Sequence, residues 1–457
     1  VLGSPPLSAA DAAERYGGDA SHLRGRPSGA VRPADRDELV AVVQWARRHR
    51  VALVARGAGT SLDGESVPAD GAVVVDLTGW DQVVELAVED RLVRVGPGLI
   101  NRALDRRLAE VGLFFPPNPG SWTTSTLGGN VATNAAGPRS FKYGSTRRWV
   151  LGAEVVLGTG EAIAVGGRVG KRSTGPDLLA LLVGSEGTLG IFTELTLALA
   201  PRPARRTALV VPVPPGAPLG RVARAIARWP TSALSAVEYL DRSCAEALTD
   251  ESRGRLPSNA ALLLLELESA DEAAETVELA HAMERLERIG LTEPAVVAPD
   301  ADELWTLRGR SGLALEQRWG TRLREDVAVP LSRIDELLAS IAAIGASLGI
   351  AVPVFGHIGD GNLHPNFVVD PASPTGLVAR TRLLRAARDL GGTISAEHGI
   401  GSAKAEFLPW EVPAAGLAVL RAVKSACDPD GILNPGKIVL ASPGEQPKGP
   451  DRRPGPG

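Results

Sequence analysis

Three of the chain's six histidines sit in two short glycine-rich segments. His357 and His364 flank the turn in Gly356-His357-Ile358-Gly359-Asp360-Gly361-Asn362-Leu363-His364-Pro365-Asn366, between two strand-like runs. His398 follows Glu397 in Glu397-His398-Gly399-Ile400-Gly401. Imidazole nitrogens with a carboxylate make the ligand set that a zinc or manganese ion accepts. The plainer alternative is two tight turns with hydrogen-bonded imidazoles, and the residues alone leave both readings open.

A second kind of chemistry is suggested by loops built from small residues. Arg56-Gly57-Ala58-Gly59-Thr60-Ser61 follows a short apolar run, but Leu62 stands at the third glycine position of a dinucleotide fingerprint, and Asp63 to Pro68 is a poor helix start. A nicotinamide Rossmann site is therefore disfavoured, while a phosphate cradle made of loop amides stays open beside an ordinary turn. Ser125-Thr126-Leu127-Gly128-Gly129-Asn130, Thr133-Asn134-Ala135-Ala136-Gly137 and Gly184-Ser185-Glu186-Gly187-Thr188-Leu189-Gly190 repeat the theme. Side chains without bulk let backbone lie against a large flat ligand, with Ser, Thr and Asn as hydrogen-bond donors. Arg308 and Arg324 offer guanidinium forks that match a carboxylate, although each also reads as an ordinary surface charge.

The elements that must hold these residues can be read from periodicity. Helical spacing runs from Asp37 to His49, a strand from Val51 to Ala55 leads into the Arg56 loop, and strands follow at Ala72–Asp76, Val83–Val88 and Leu92–Val95. After a helix over Ile100–Glu110, the stretch from Pro116 to Gly144 holds too few large apolar residues for ordinary secondary structure and reads as a functional loop. Strands at Ala153–Leu157 and Ile191–Leu199 close a first domain near Pro201, and the Pro-rich Val211–Pro215 opens a second region. There strands (Ala260–Glu268, Ala295–Ala298, Asp326–Val329, Ala351–Phe355, Thr393–Ser395) alternate with helices (to Ile289, from Ser332 to Gly349, and over Leu377–Leu390), which predicts a mixed sheet covered by helices.

Bulk properties narrow the function. A chain of 457 residues exceeds one ordinary core, so two substantial domains are expected. A formal net charge of -4 offers no basic surface for nucleic acid, and Cys244 and Cys427 lie outside any CxxC pattern, against an iron–sulfur cluster or disulfide framework. Apolar runs such as Ala260 to Leu265 are strand-sized, and the first residues show no basic-then-apolar leader. The expected location is cytoplasmic, free or peripheral at the inner face of the membrane. Residues 441–457 read as a low-complexity tail.

Taken together, over residues 16 to 440, these motifs resemble the flavoproteins of the p-cresol methylhydroxylase/vanillyl-alcohol oxidase type, and within them the D-lactate, glycolate and D-2-hydroxyglutarate dehydrogenase group. Arg56, Gly57, Ala58, Gly59, Thr60 and Ser61 are similar to the family's pyrophosphate loop. The segment from Pro117 to Tyr143, with Gly128, Gly129, Asn130, Thr133 and Asn134, is similar to its flavin-binding stretch. Glu186 and Gly187 fall in its next FAD contact, and Asp428 to Lys437 resembles its C-terminal return.

The resemblance implies an α+β fold: a two-part FAD-binding domain (1–205), an α+β cap domain with a mixed sheet (206–420), and a C-terminal segment (421–440) returning to the FAD domain. It adds Gly137, Gly144, Ile191 and Asn434 to the cofactor contacts, and makes His357, His364 and Glu397 ligands of a divalent zinc or manganese ion. His398 becomes the proton acceptor and Arg308 the carboxylate-binding residue. At Arg324 the 2-hydroxyglutarate enzymes carry a lysine in an aromatic-flanked pattern. The implied activity is oxidation of a small 2-hydroxy acid to the 2-oxo acid, with hydride passing to flavin N5. The electrons would go on to a quinone, an electron-transfer flavoprotein or a cytochrome, and a homodimer is compatible. FAD is expected to be non-covalent, because Thr60 stands where covalent relatives place a histidine. Two rivals remain, a non-redox metal-dependent enzyme and an inactive flavin-binding subunit of a glycolate oxidase-like complex.

Overall fold

The computed structural model describes residues 5–438 except 231, 253–255, 258, 292–295 and 299–300, so the tail 441–457 lies outside the described residues. The first domain is built on two main sheets, with a two-stranded antiparallel pair, Leu113–Phe114 and Ala200–Pro201, beside them. In the smaller main sheet, Val73–Asp76 lies between Gly29–Val31 and Leu53–Arg56, all parallel. Its centre is wholly buried, which is why it reads as an unbroken valine run and not as an alternating one. Helix Arg36–His49 packs Leu39, Val42, Val43 and Ala46 onto this sheet; it starts where the Asp35 side chain accepts from Glu38 N and stops at left-handed Arg50. The larger sheet runs Val83–Ala87, Leu92–Val95, Gly190–Ala198, Val150–Leu157, Ala162–Gly166, all neighbours antiparallel.

The expectation that residues 116–144 lack ordinary structure is corrected. Helix Leu127–Thr133 lies there, capped by the Thr126 side chain on Gly129 N and ended by left-handed Asn134, followed by a short helix Ser140–Tyr143. Leu127 and Val131, four residues apart, are its only large apolar anchors, and both are buried. Two anchors are too few to show a period.

The second domain is built on an eight-strand sheet. Its first four strands, Arg205–Val213, Leu234–Leu240, Ala261–Ser269 and Val296–Val297, stand in the order fourth, first, third, second, and Val354–Gly356, Asn362–Phe367 and Leu323–Arg324 extend it; Val327–Ala328 also pairs with Asn362–Phe367. Every neighbouring pair is antiparallel, where a mixed sheet was expected. The first two strands are indeed joined through a helix, Leu219–Ala227, as in a βαβ unit. The third strand inserts between them, so no parallel pair forms. Pro212 lies inside the first strand, not in a linker. It faces Leu262 on one side, while the short fourth strand pairs only at Leu209 and Val210, so the missing N–H breaks no ladder there.

Apolar clusters cover both sheet faces, one with helices Ile334–Leu348 and Pro374–Asp389, the other with Arg242–Ser252 and Ser311–Trp319. After helix Ala414–Cys427 the chain comes back to the first domain as expected: Leu53 N donates to Ile432 O and Asn434 N to Leu53 O, both at 2.7 Å. Among the described residues no helix is long and apolar enough to cross a membrane.

Candidate active site between the two domains

A cavity of about 580 Å³ opens between the domains, within the size of small-molecule sites. One end is walled by small residues. Of those assigned to a cofactor, Arg56, Gly57, Ala58, Gly59, Thr60, Ser61, Gly128, Gly129, Asn130, Thr133, Glu186, Gly187 and Ile191 line it. The loop can be this tight because Gly59 has φ +69°; a Cβ there would stand 1.9 Å from the Arg56 guanidinium. Arg56 itself is buried and donates to Ser66, and burial lowers its pKa.

The other six residues given to the cofactor do not line the cavity. Pro117 O accepts from Asn101 Nδ2, Asn134 Oδ1 accepts from Ser145 Oγ and Arg147 N, and Gly137 N donates to Ser140 Oγ. Gly144 ends a helix, and the Tyr143 hydroxyl donates to Glu268 of the second domain at 2.5 Å. Asn434 Nδ2 donates to Glu65 O and Glu186 O, tying the returning C-terminus to two wall residues. The wall fits a dinucleotide on two counts: the buried Asn130 Nδ2 is a donor without a partner, and Arg56 makes no ion pair among the described residues.

At the other end the two histidine segments meet. The turn after Val354–Gly356 carries His357 into the cavity, and strand Asn362–Phe367, paired with it, returns His364 beside it. Glu397 Oε1 lies 3.1 Å from His357 Nε2, 3.3 Å from His364 Nε2 and 3.8 Å from His398 Nε2. His398 stacks on His364 with ring centres 5.1 Å apart. Donor atoms of His357, His364 and Glu397 lie within 4.8 Å of one another, and the buried Glu397 Oε2 has no hydrogen-bond partner. Such a donor set fits a divalent ion.

Electrostatics sort the roles. Burial opposes ionisation of Glu397, but His357 and His364 hold its pKa well below the usual carboxylate range. For His357, burial opposes a charge while the Glu238 and Glu397 carboxylates, one at each ring nitrogen, raise its pKa well above the ordinary value. Burial lowers His398, which favours the neutral, proton-accepting imidazole.

Both arginines line the cavity. Arg308 is not the free fork that its residue type suggested: Nε (2.9 Å) and Nη2 (2.5 Å) donate to Glu238 Oε2, and the guanidinium lies over the Phe355 ring. Arg324 donates to Ala20 O. Sequence reasoning missed two buried carboxylates. Glu238 is one. Asp326 is the other: its Oδ2 accepts from the backbone N–H of Ala396, Glu397 and His398, pinning the segment that carries Glu397 and His398. The single charge in strand Leu234–Leu240 was the available signal for Glu238.

Comparison with known proteins identifies the family. Residues 202–438 match the family model for FAD linked oxidases, C-terminal domain, and residues 27–166 match that for the FAD binding domain. The chain is 38% identical to "Glycolate oxidase subunit GlcD" of Bacillus subtilis, covering 90% of this chain and 89% of that one. It is 34% identical to "D-2-hydroxyglutarate dehydrogenase" of Stutzerimonas stutzeri, covering 95% and 96%. The fold is shared with substrate-bound p-cresol methylhydroxylase, with a TM-score of 0.76 at 16% identity over 95% of this chain and 94% of that one. The chain belongs to the FAD-linked oxidase family. It is an oxidoreductase whose cofactor is FAD.

Proposed function

We propose that this chain oxidises a small 2-hydroxy acid to the 2-oxo acid, with a zinc or manganese ion on His357, His364 and Glu397 and with His398 as the base. The observation that carries the reading is convergence: the histidine–glutamate cluster, Arg308 and Arg324 form one end of the cavity whose other end is the small-residue wall. Relatives named for glycolate and for D-2-hydroxyglutarate, both 2-hydroxy acids, support the substrate class.

Charge supports the ion. The buried Glu238 and Asp326 and the partly buried Glu397 lie around the histidines against two guanidiniums, Arg308 and Arg324, while the neighbouring Lys404 and Arg380 are matched by Asp63 and Glu325. With neutral imidazoles that leaves one negative charge in excess; a proton on His357, whose pKa the Glu238 and Glu397 carboxylates raise, balances it, and a bound ion would take that proton's place.

When bound, the ion supplies Lewis-acid polarisation of the substrate oxygens and FAD supplies the hydride acceptor. The chain does the rest. Arg308 and Arg324 hold the carboxylate, and His398 Nε2, facing the same Glu397 oxygen as the ligand histidines, takes the hydroxyl proton. Asp326, through three backbone N–H groups, keeps Glu397 and His398 at fixed stations. FAD stays non-covalent on this reading, since neither Thr60 nor either cysteine offers an attachment.

The test is the absorption spectrum of the purified protein under anaerobic addition of glycolate, D-lactate and D-2-hydroxyglutarate. Flavin bands that bleach with one of them support the reading. A flavin that dithionite reduces but no 2-hydroxy acid does would overturn it.

A further inference from the structure

We propose that Glu238 is a positioning residue: it decides which nitrogen of His357 carries the ring proton, and so keeps the other nitrogen able to hold the ion. This rests on the ligand set proposed above. Glu238 does not line the cavity and touches no reacting atom. Strand Leu234–Leu240 pairs with Val354–Gly356, Tyr239 opposite Gly356, which brings the Glu238 carboxylate behind His357.

The carboxylate is fully buried, and its two oxygens are divided between two partners. Oε2 accepts from Arg308 Nε and Nη2; Oε1 lies 2.6 Å from His357 Nδ1. An ionised carboxylate only accepts and a guanidinium only donates, so His357 Nδ1 must carry hydrogen. A neutral ring then has its lone pair on Nε2. That is the atom 3.1 Å from Glu397 Oε1, in the candidate ligand set. One buried group thereby joins the arginine that faces the substrate to a ligand of the ion, and a hydrogen bond to the far nitrogen is how ligating histidines are held in tautomer and direction.

Glu238→Gln tests this with little change of shape. The new amide has one accepting oxygen and one donating nitrogen. Arg308 presents two N–H groups and claims the oxygen, so the NH₂ faces His357 Nδ1 and forces that nitrogen to accept. The ring proton moves to Nε2, which can no longer ligate. Zinc affinity, measured on the FAD-loaded protein with zinc chloride against a competing chelator, should fall about 10- to 100-fold while bound FAD stays at wild-type level.

The double variant Arg308→Met/Glu238→Gln separates this from structural damage. Without the guanidinium the amide is free to turn its oxygen toward Nδ1–H, so zinc affinity should rise from the Glu238→Gln value to that of Arg308→Met alone. A merely structural role predicts a double variant worse than either single one, and that result would overturn the proposal. Should the variants fail to fold, ¹⁵N-histidine spectra of the zinc-loaded wild type decide it: the proposal requires His357 protonated at Nδ1, and a proton at Nε2 refutes it. His364→Ala keeps the two levels apart. If it retains zinc, the ligand set is wrong; if it loses zinc while Glu238→Gln binds normally, the ligand set stands and the role given to Glu238 falls.

Discussion

Lys404→Met should expose how the two domains are held together around the site. Lys404 is 0% exposed, with Nζ 3.0 Å from Asp63 Oδ2 in the first domain, 3.9 Å from Glu325 Oε2 and 3.5 Å from Asp326 O in the second. Methionine fills most of the volume, so the loss is electrostatic. Glu325 keeps Arg380 at 2.6 Å, whereas Asp63, 2% exposed, has no other ion pair among the described residues. Leaving one partner of a buried pair uncompensated costs about 3–5 kcal/mol, and neither group is exposed enough to be screened.

The penalty should depend on pH with a definite sign. Burial raises the Asp63 pKa, and Lys404, which lowers it, would be gone. An acid whose folded pKa is raised stabilises the fold below its unfolded pKa and loses that contribution as pH rises through the folded one. The Lys404→Met penalty should therefore be largest at pH 8 and shrink toward pH 5. Urea unfolding, followed separately by flavin release and by tryptophan fluorescence because a two-domain chain need not unfold in one step, measures it. Adding Asp63→Asn removes the orphaned charge and should recover at least about 2 kcal/mol of the loss. A Lys404→Met variant within about 1 kcal/mol of wild type, or a double variant no better than the single one, would refute the reasoning.

Three shorter predictions follow from the proposed chemistry. His398→Asn should slow flavin reduction by about 100- to 10,000-fold in stopped flow while metal and FAD contents stay near wild type; loss of metal would move His398 into the coordination shell. His364→Ala should lose the ion in metal analysis and keep FAD, whose wall lies at the other end of the cavity. Acid or heat denaturation should release yellow cofactor into the supernatant, and colour retained by the precipitate would show a covalent bond.

What could be read before the structure, and what could not, follows from how far apart the interacting residues lie along the chain. The His357–His364 turn was legible because eight residues of glycine-broken hairpin bring its own ends together, and Glu397-His398 because glycines follow at once. The parallel valine strand Val73–Asp76 was legible from its run of β-branched residues. Strands Arg205–Val213 and Leu234–Leu240 escaped. Both are buried across both faces and so show no alternation, one carries a proline and the other a glutamate.

That glutamate shows where sequence reasoning runs out. Nothing in Leu234–Leu240 says that Val354–Gly356, more than a hundred residues on, will be its neighbour, and only that pairing turns a misplaced charge into the partner of His357 and Arg308. Tyr143 makes the same point from the other domain. The resemblance placed it at the end of the flavin-binding stretch, and the fold sets Ser140–Tyr143 against the second domain's sheet, where Glu268 takes the hydroxyl and Lys142 alongside it, while Glu266 takes Arg139. Ion pairs made this way, one partner from each domain, tie the two halves together outside the cavity lining. The residues that face the ligand are therefore the ones a local motif reveals, and the residues that hold the two halves in register are visible only once the sheet order is known.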